Sequence, residues 1–252
     1  MFHALVIAFS TYSRLPMPQV EWSRENMRYA ICFFPLIGGA VGLISLAWGW
    51  LCGLLELSPL LRGAGLTVLP LLITGGIHMD GFCDTVDALS SHQSRERKLE
   101  ILKDPHAGAF AIVSCGAWLV LYLGAASQLS SLRSLGVTGL GFVLSRALSG
   151  LALANWKGAR PSGMLQAFAD ASHRAVVTGT MVLFALLAAA GMLWLSPVSG
   201  GAALLAAALC WGWYRHVSYR QFGGITGDLA GWSLQLCELA IALAAALTWR
   251  YV

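Results

Sequence analysis

The sequence predicts an all-α fold, a polytopic integral membrane bundle of about seven apolar helices with a short interfacial helix at its N-terminus. Three observations lead there. Hydrophobic residues make up 57% of the 252 residues and charged residues only 11%, against roughly 25% charged in soluble proteins. Apolar runs recur at a length that suits a bilayer, which takes about 20 residues of helix to cross. The charged residues gather in loops that alternate threading places on one face.

Residues 2–13 are apolar but too short to cross, and Arg14, Pro16 and Pro18 end the run. They read as an interfacial or re-entrant helix, followed by a polar surface stretch over 19–28. The first span is expected over 30–55 and the second over 62–79. A polar segment, 80–107, precedes the third span at 108–129. The fourth, 134–155, is interrupted by Arg146. A second polar loop covers 156–174, and the fifth span runs over 175–195. Residues 196–200 read as a tight turn before a short sixth span at 201–214. A third polar loop, 215–227, leads into the seventh span, 228–249, which carries Glu238. The whole chain, 1–252, reads as one membrane-embedded domain without internal repeats.

Threading seven spans places Arg14, Arg24, Arg28, Arg95, Arg97, Lys98, Lys103, Lys157, Arg160, Arg174, Arg215 and Arg220 on one face, and only Arg62, Arg133 and Arg250 on the other. The positive-inside rule makes the first face cytoplasmic. The N-terminus is then inside and the C-terminus outside, with the location a bacterial cytoplasmic (inner) membrane. Of the acidic residues, only Glu56 and Glu238 miss the cytoplasmic face, so chemistry is expected there. The N-terminus lacks the basic region and small-residue cleavage site of a signal peptide. The cysteines, Cys32, Cys52, Cys83, Cys115, Cys210 and Cys237, form no C-x-x-C pair and read as buried thiols. Trp50, Trp156, Trp194 and Trp232 lie near span ends and read as interfacial anchors.

The stretch GGIHMDGFCDTVDAL (residues 75–89) carries the strongest chemical signal. Asp80, Asp84 and Asp87 stand at i, i+4 and i+7, within about 60° of one another on a helix. Three carboxylates on one stripe repel unless a cation lies between them, and oxygen-only ligands favour Mg²⁺. Such a site suits a diphosphate substrate; the alternative reading is a solvated helix face that happens to be acidic. His78, just before the stripe, is either a phosphate contact or proton shuttle or a helix-end cap. In LKDPHAGAFA (102–111), Lys103 offers a charge for phosphate. Asp104 is a cap, a metal ligand or a base. In GGITGD (223–228), Gly224 allows close backbone approach to a ligand, and Thr226 or Asp228 caps the last helix. Arg146 either pairs with Glu238 inside the membrane or reads a phosphate. Lys157, Arg160 and Arg220 either join Lys103 in a basic wall for an anionic substrate or are ordinary positive-inside residues.

These three blocks, with the opening AFSTYSRLPMP (8–18) and Gln235 and Glu238 on one face of the last helix, resemble the cobalamin synthase family, also called adenosylcobinamide-GDP ribazoletransferase. The resemblance runs nearly end to end. Cys83 and Ala88 stand where Ala and Gly are expected, Ala107 replaces a bulkier residue and Ala111 a glycine, but every carboxylate is kept. The resemblance implies that the 3′-hydroxyl of α-ribazole, or of its 5′-phosphate, attacks the cobinamide-linked phosphorus of adenosylcobinamide-GDP. GMP leaves and the nucleotide loop of cobalamin closes. It implies Mg²⁺ on Asp80, Asp84 and Asp87, and catalytic roles for Asp84, Asp104, Lys103 and His78. Substrate contacts fall to Arg146, Arg160, Thr226, Asp228 and Gly224. Partners are the two substrates, the lipid bilayer, and a second copy or other cobalamin-assembly enzymes, with no nucleic acid.

Two other classes use similar residues. A CDP-alcohol phosphotransferase or prenyltransferase-like enzyme also sets a diphosphate on carboxylates, but Asp80-Gly81 is not followed by Ala-Arg and only one Asp-rich helix is evident. An ion-coupled transporter would explain Arg146 and Glu238, but its site should lie near the bilayer midplane, away from the acidic face.

Overall fold

The computed structural model describes residues 1–248 and Arg250. Twelve α-helices run along them: α1 Phe2–Tyr12, α2 Arg24–Met27, α3 Phe34–Leu54, α4 Pro59–Thr74, α5 Ile77–Ser90, α6 Arg95–Ile101, α7 Ala109–Gln128, α8 Leu132–Asn155, α9 Met164–Ala171, α10 Arg174–Leu195, α11 Pro197–Val217 and α12 Gly227–Leu247. A 3₁₀ turn, Ala30–Phe33, leads into α3, and a π-helical turn, Ser218–Phe222, follows α11. The only strand-like pairing among the described residues is an isolated bridge between Gly158 and Ile225.

Five segments are long and apolar enough to cross a membrane: Arg24–Leu54 with α3, α7, α8, α10 and α12. The pair α4 and α5 makes a sixth when taken together, but the two are bent by 94°. α11 matches the spans in length, at 21 residues, but is less apolar. The chain is thus a polytopic helical membrane protein. α8 sits at the centre, against α3, α10, α11 and α12. Most of α8 and α12 is buried, whereas α7 and α10 turn most of their surface outward. That outward surface is apolar: Val113, Val120, Leu183, Leu186 and Trp194 are all exposed. Lipid is the solvent in which such a surface is stable.

The structure revises three expectations. Residues 197–200 are not a turn but the first turn of α11. Ser196 alone joins α10 to α11, its side chain accepting the Ser199 N–H while Pro197 occupies the first helical turn, a position proline favours. The sixth helix is therefore full length. Trp232 is 5% exposed and packs in the core rather than at an interface. The polar loops are partly ordered as helices, with α5 and α6 in the first and α9 in the second. The expected end of the last span at residue 249 lies outside the described residues. α1 packs its buried residues Ala4, Val6, Ile7 and Ala8 into the bundle, and all six cysteines are free thiols.

Candidate active site

The site begins with the bend between α4 and α5. Gly75 and Gly76 both take positive φ, 66° and 77°, which glycine adopts without steric cost. The bend turns α5 across α12, and two further glycines let the helices touch. A methyl group added to Gly81 would lie 2.8 Å from the Asp228 carbonyl oxygen. One added to Gly231 would lie 2.9 Å from the His78 carbonyl oxygen. The aspartates of α5 are thereby brought beside Asp228, at the start of α12.

Asp80 is exposed, while Asp84, Asp87 and Asp228 are half-buried. Burial and the charges of Asp80, Asp228, Asp87 and Asp104 push the Asp84 carboxyl up to about 7. Every charge acting on Asp84 there is negative, so its ionised form lacks a compensating partner. Asp87 differs from its neighbours. Its Oδ2 accepts the Gly108 N–H at 2.6 Å and its Oδ1 the Ala111 N–H at 2.9 Å. It thus satisfies backbone donors at the start of α7 that have no partner within the helix.

The third polar loop closes the far side. Ile225 donates its N–H to the Lys157 carbonyl (2.9 Å) and accepts the Ala159 N–H (2.8 Å). Gly224 lies so close to Lys157 and Gly158 that any side chain would strike their backbone. Its expected close approach is therefore to the second polar loop. This pairing carries Arg160 to Asp228, with Nη1 3.6 Å from Oδ2, while Nη2 donates to the Leu99 carbonyl at 2.6 Å. Thr226 caps α12 by accepting the Leu229 N–H at 3.2 Å and donates to Asp228 at 3.3 Å.

Other expected residues stand apart. Lys103 and Asp104 are exposed. The His106 backbone N–H and ring both engage the Asp104 carboxylate, at 3.0 and 2.8 Å, and hold it below the usual carboxylate range. Arg146 is 1% exposed. Its Nη1 lies 2.6 Å from Glu238 Oε1 and also donates to the Phe142 carbonyl. Ser145 donates to the same Glu238 oxygen at 3.2 Å. Of the two readings of Arg146, the geometry shows the ion pair, a clamp between α8 and α12. His78 is buried, with its ring 6.1 Å from Tyr12 and 5.9 Å from Phe34 between centroids.

Two spaces meet at Asp80. One is an apolar cavity of about 200 Å³ bordered by Tyr12, His78, Asp80, Asp228 and Leu234. The other is a groove whose lining includes Ser10, Thr11, Ser13, Arg14, Thr74 and Asp80 beside Leu71, Ile77 and Met79.

A sequence-family model described as Cobalamin-5-phosphate synthase matches residues 4–246. The chain belongs to that family. An adenosylcobinamide-GDP ribazoletransferase from Lachnoclostridium phytofermentans is 49% identical over 242 residues, covering 96% of this chain and 92% of the relative. One from Pseudomonas savastanoi pv. phaseolicola is 36% identical, covering 93% of each. One from Clostridium botulinum is 29% identical, covering 95% of each. No solved structure matches.

Among the described residues of this family member, no group of three His, Cys, Asp or Glu side chains is assembled closely enough to hold a metal ion. The aspartates share an electric field without converging. The donor chemistry still fits a hard divalent cation, being all oxygen and, around Asp84, all negative. Sequence reasoning missed Tyr12 and Arg14, which border the two spaces. Tyr12 sits in a run too short to span, and Arg14 reads as one positive-inside residue among many.

Proposed function

We propose that this transferase of cobalamin biosynthesis closes the nucleotide loop, joining α-ribazole, or its 5′-phosphate, to the phosphocobinamide of adenosylcobinamide-GDP with release of GMP. The observation that carries the reading is the acidic cluster where α5 crosses α12, in a chain whose relatives bear that enzyme's name. Asp80 and Asp84, with Asp228, would hold Mg²⁺, and Asp87 keeps one lone pair on each oxygen with which to contribute. The ion would offset the negative charge of the diphosphate and of departing GMP.

A carboxylate of the cluster not fully engaged by the ion would accept the ribazole 3′-hydroxyl proton. The 3′-oxygen then bonds to the cobinamide-linked phosphorus as the bond from that phosphorus to the GMP oxygen breaks. Arg160 holds Asp228 in place and adds positive charge at the rim. Lys103 is exposed and serves the approach of the anionic substrate, while Asp104, held low by His106, is poorly matched to take up a proton near neutral pH. The positive-inside pattern supports a cytoplasmic-membrane location with these loops facing the cytoplasm.

The test is to incubate purified protein in nanodiscs with adenosylcobinamide-GDP, α-ribazole and Mg²⁺, with and without EDTA. Metal-dependent formation of GMP and a cobalamin product in equal amounts is expected. Folded protein that makes neither product from α-ribazole or its 5′-phosphate would sink the assignment.

A further inference from the structure

The apolar cavity beside Asp80 is not used by the chemistry described above. We infer that it is the subsite for the benzimidazole base of the ribazole acceptor, with the His78 side chain on its wall as hydrogen-bond donor to the base's free ring nitrogen. The inference rests on the transferase reading and adds to it where one half of the acceptor binds.

Size comes first. At about 200 Å³ the cavity is smaller than the roughly 300–1,000 Å³ of pockets that take drug-sized ligands. It suits a single flat bicyclic ring and excludes a corrin or a whole nucleoside diphosphate. Its chemistry comes second. Tyr12, Phe34, Leu153 and Leu234 give it apolar and aromatic walls, against which an uncharged aromatic ring stacks favourably. A guanine base, rich in donors and acceptors, would leave polar groups unpaired there.

Third, the cavity has one buried polar side chain in need of a partner. His78 is 5% exposed, and its Nε2 is buried with no hydrogen-bond partner among the described residues. An unmade bond of this kind is costly unless a ligand completes it. A benzimidazole joined to its sugar through one ring nitrogen offers a single acceptor, the other ring nitrogen. Fourth, the cavity ends at Asp80 and Asp228. A base seated inside therefore delivers its ribose to the carboxylates, where the 3′-hydroxyl must lose its proton. The groove on the other side of Asp80, which holds Arg14, is left for the anionic substrate.

The test narrows the cavity from two walls, with Ser149→Leu on α8 and Ala230→Leu on α12, and removes the nitrogen with His78→Phe, which keeps a ring against Tyr12. Each variant is checked for a monodisperse elution profile and assayed by varying each substrate in turn. The KM for α-ribazole is expected to rise on the order of tenfold, with the KM for adenosylcobinamide-GDP unchanged. Free dimethylbenzimidazole should compete with α-ribazole in the wild type and lose that competition in the filled variants. Folded variants that keep the wild-type KM for α-ribazole, or that weaken adenosylcobinamide-GDP instead, overturn the subsite. So does a lipid found by native mass spectrometry in the wild type and lost on filling, when the ribazole KM does not change. These outcomes leave wild-type turnover intact, whereas absence of wild-type turnover removes the transferase reading and this inference with it.

Discussion

Asp87 accepts the backbone N–H of Gly108 at 2.6 Å, so the last carboxylate of the acidic stripe anchors the start of another helix. The stripe is thereby divided: Asp80 and Asp84 are free to serve a ligand, while Asp87 ties α5 to α7. Asp87→Ala should lower stability by roughly 0.5–2 kcal/mol, the usual cost of losing a helix cap. Asp87→Asn keeps one acceptor and should lose less. Thermal unfolding in detergent decides this, and wild-type stability in Asp87→Ala would remove the anchoring role.

Asp84 ties stability to pH. Its folded carboxyl titrates at about 7 against a reference of 3.8, so between these values the folded chain binds the proton and the unfolded chain does not. Stability contributed by this group is present below about pH 4 and falls as pH rises toward about 7. In metal-free protein, Asp84→Asn should flatten that slope and raise the melting temperature at pH 8, while abolishing turnover. A variant with the wild-type slope, measured by thermal unfolding in EDTA from pH 4 to 8, would show that Asp84 is not the strained carboxyl.

How much of this was legible in the sequence follows from the range of each signal. The spans were readable because hydrophobicity accumulates over about 20 residues. The acidic stripe was readable because it repeats at helical spacing within one element. The start of α11 was missed because Pro197 and Gly200 look like a turn, although proline at a first helical turn and glycine at a helix contact are equally at home. The division of labour among the aspartates was not legible. It depends on Gly108 and Ala111 arriving at Asp87, and on Gly81 admitting Asp228, contacts made between distant parts of the chain. The Arg146–Glu238 pair could be named from its cost in a membrane, but only packing showed that it is closed.

That pair joins α8 to α12 in the bundle interior. Removing one partner strands a buried charge, so Glu238→Ala should destabilise the protein by about 3–5 kcal/mol. Replacing both, Arg146→Met with Glu238→Leu, should recover much of that loss and retain turnover. A well-folded double variant with no turnover and a raised KM for adenosylcobinamide-GDP would return Arg146 to the role of phosphate reader.

The charge asymmetry sets a topology that reporter fusions can check. Reporters placed after residues 57, 130 and 196 should be active outside the cytoplasmic membrane, and those after 92, 158 and 222 inside. The informative pair is 57 against 92, because α4 and α5 are bent by 94° and together must return the chain to the face it left. Equal reporter behaviour at those two sites would mean that the bent pair does not cross.

The contact of α5 with α12 gives the most direct link between packing and catalysis. Gly81 and Gly231 allow an approach in which a single added methyl would press within 2.9 Å of a facing carbonyl oxygen. Gly81→Ala and Gly231→Ala therefore force the helices apart by a few tenths of an ångström or more. Overpacking of this kind costs about 1–3 kcal/mol, which a bundle this apolar should survive as a folded membrane protein. Catalysis is less forgiving, since a displacement of about 1 Å at reacting groups costs on the order of 10²-fold. Both variants are expected to show a large fall in kcat, a higher Mg²⁺ requirement and near-normal insertion. Wild-type kcat in a folded Gly81→Ala protein would mean that Asp228 and the aspartates of α5 do not work as one site.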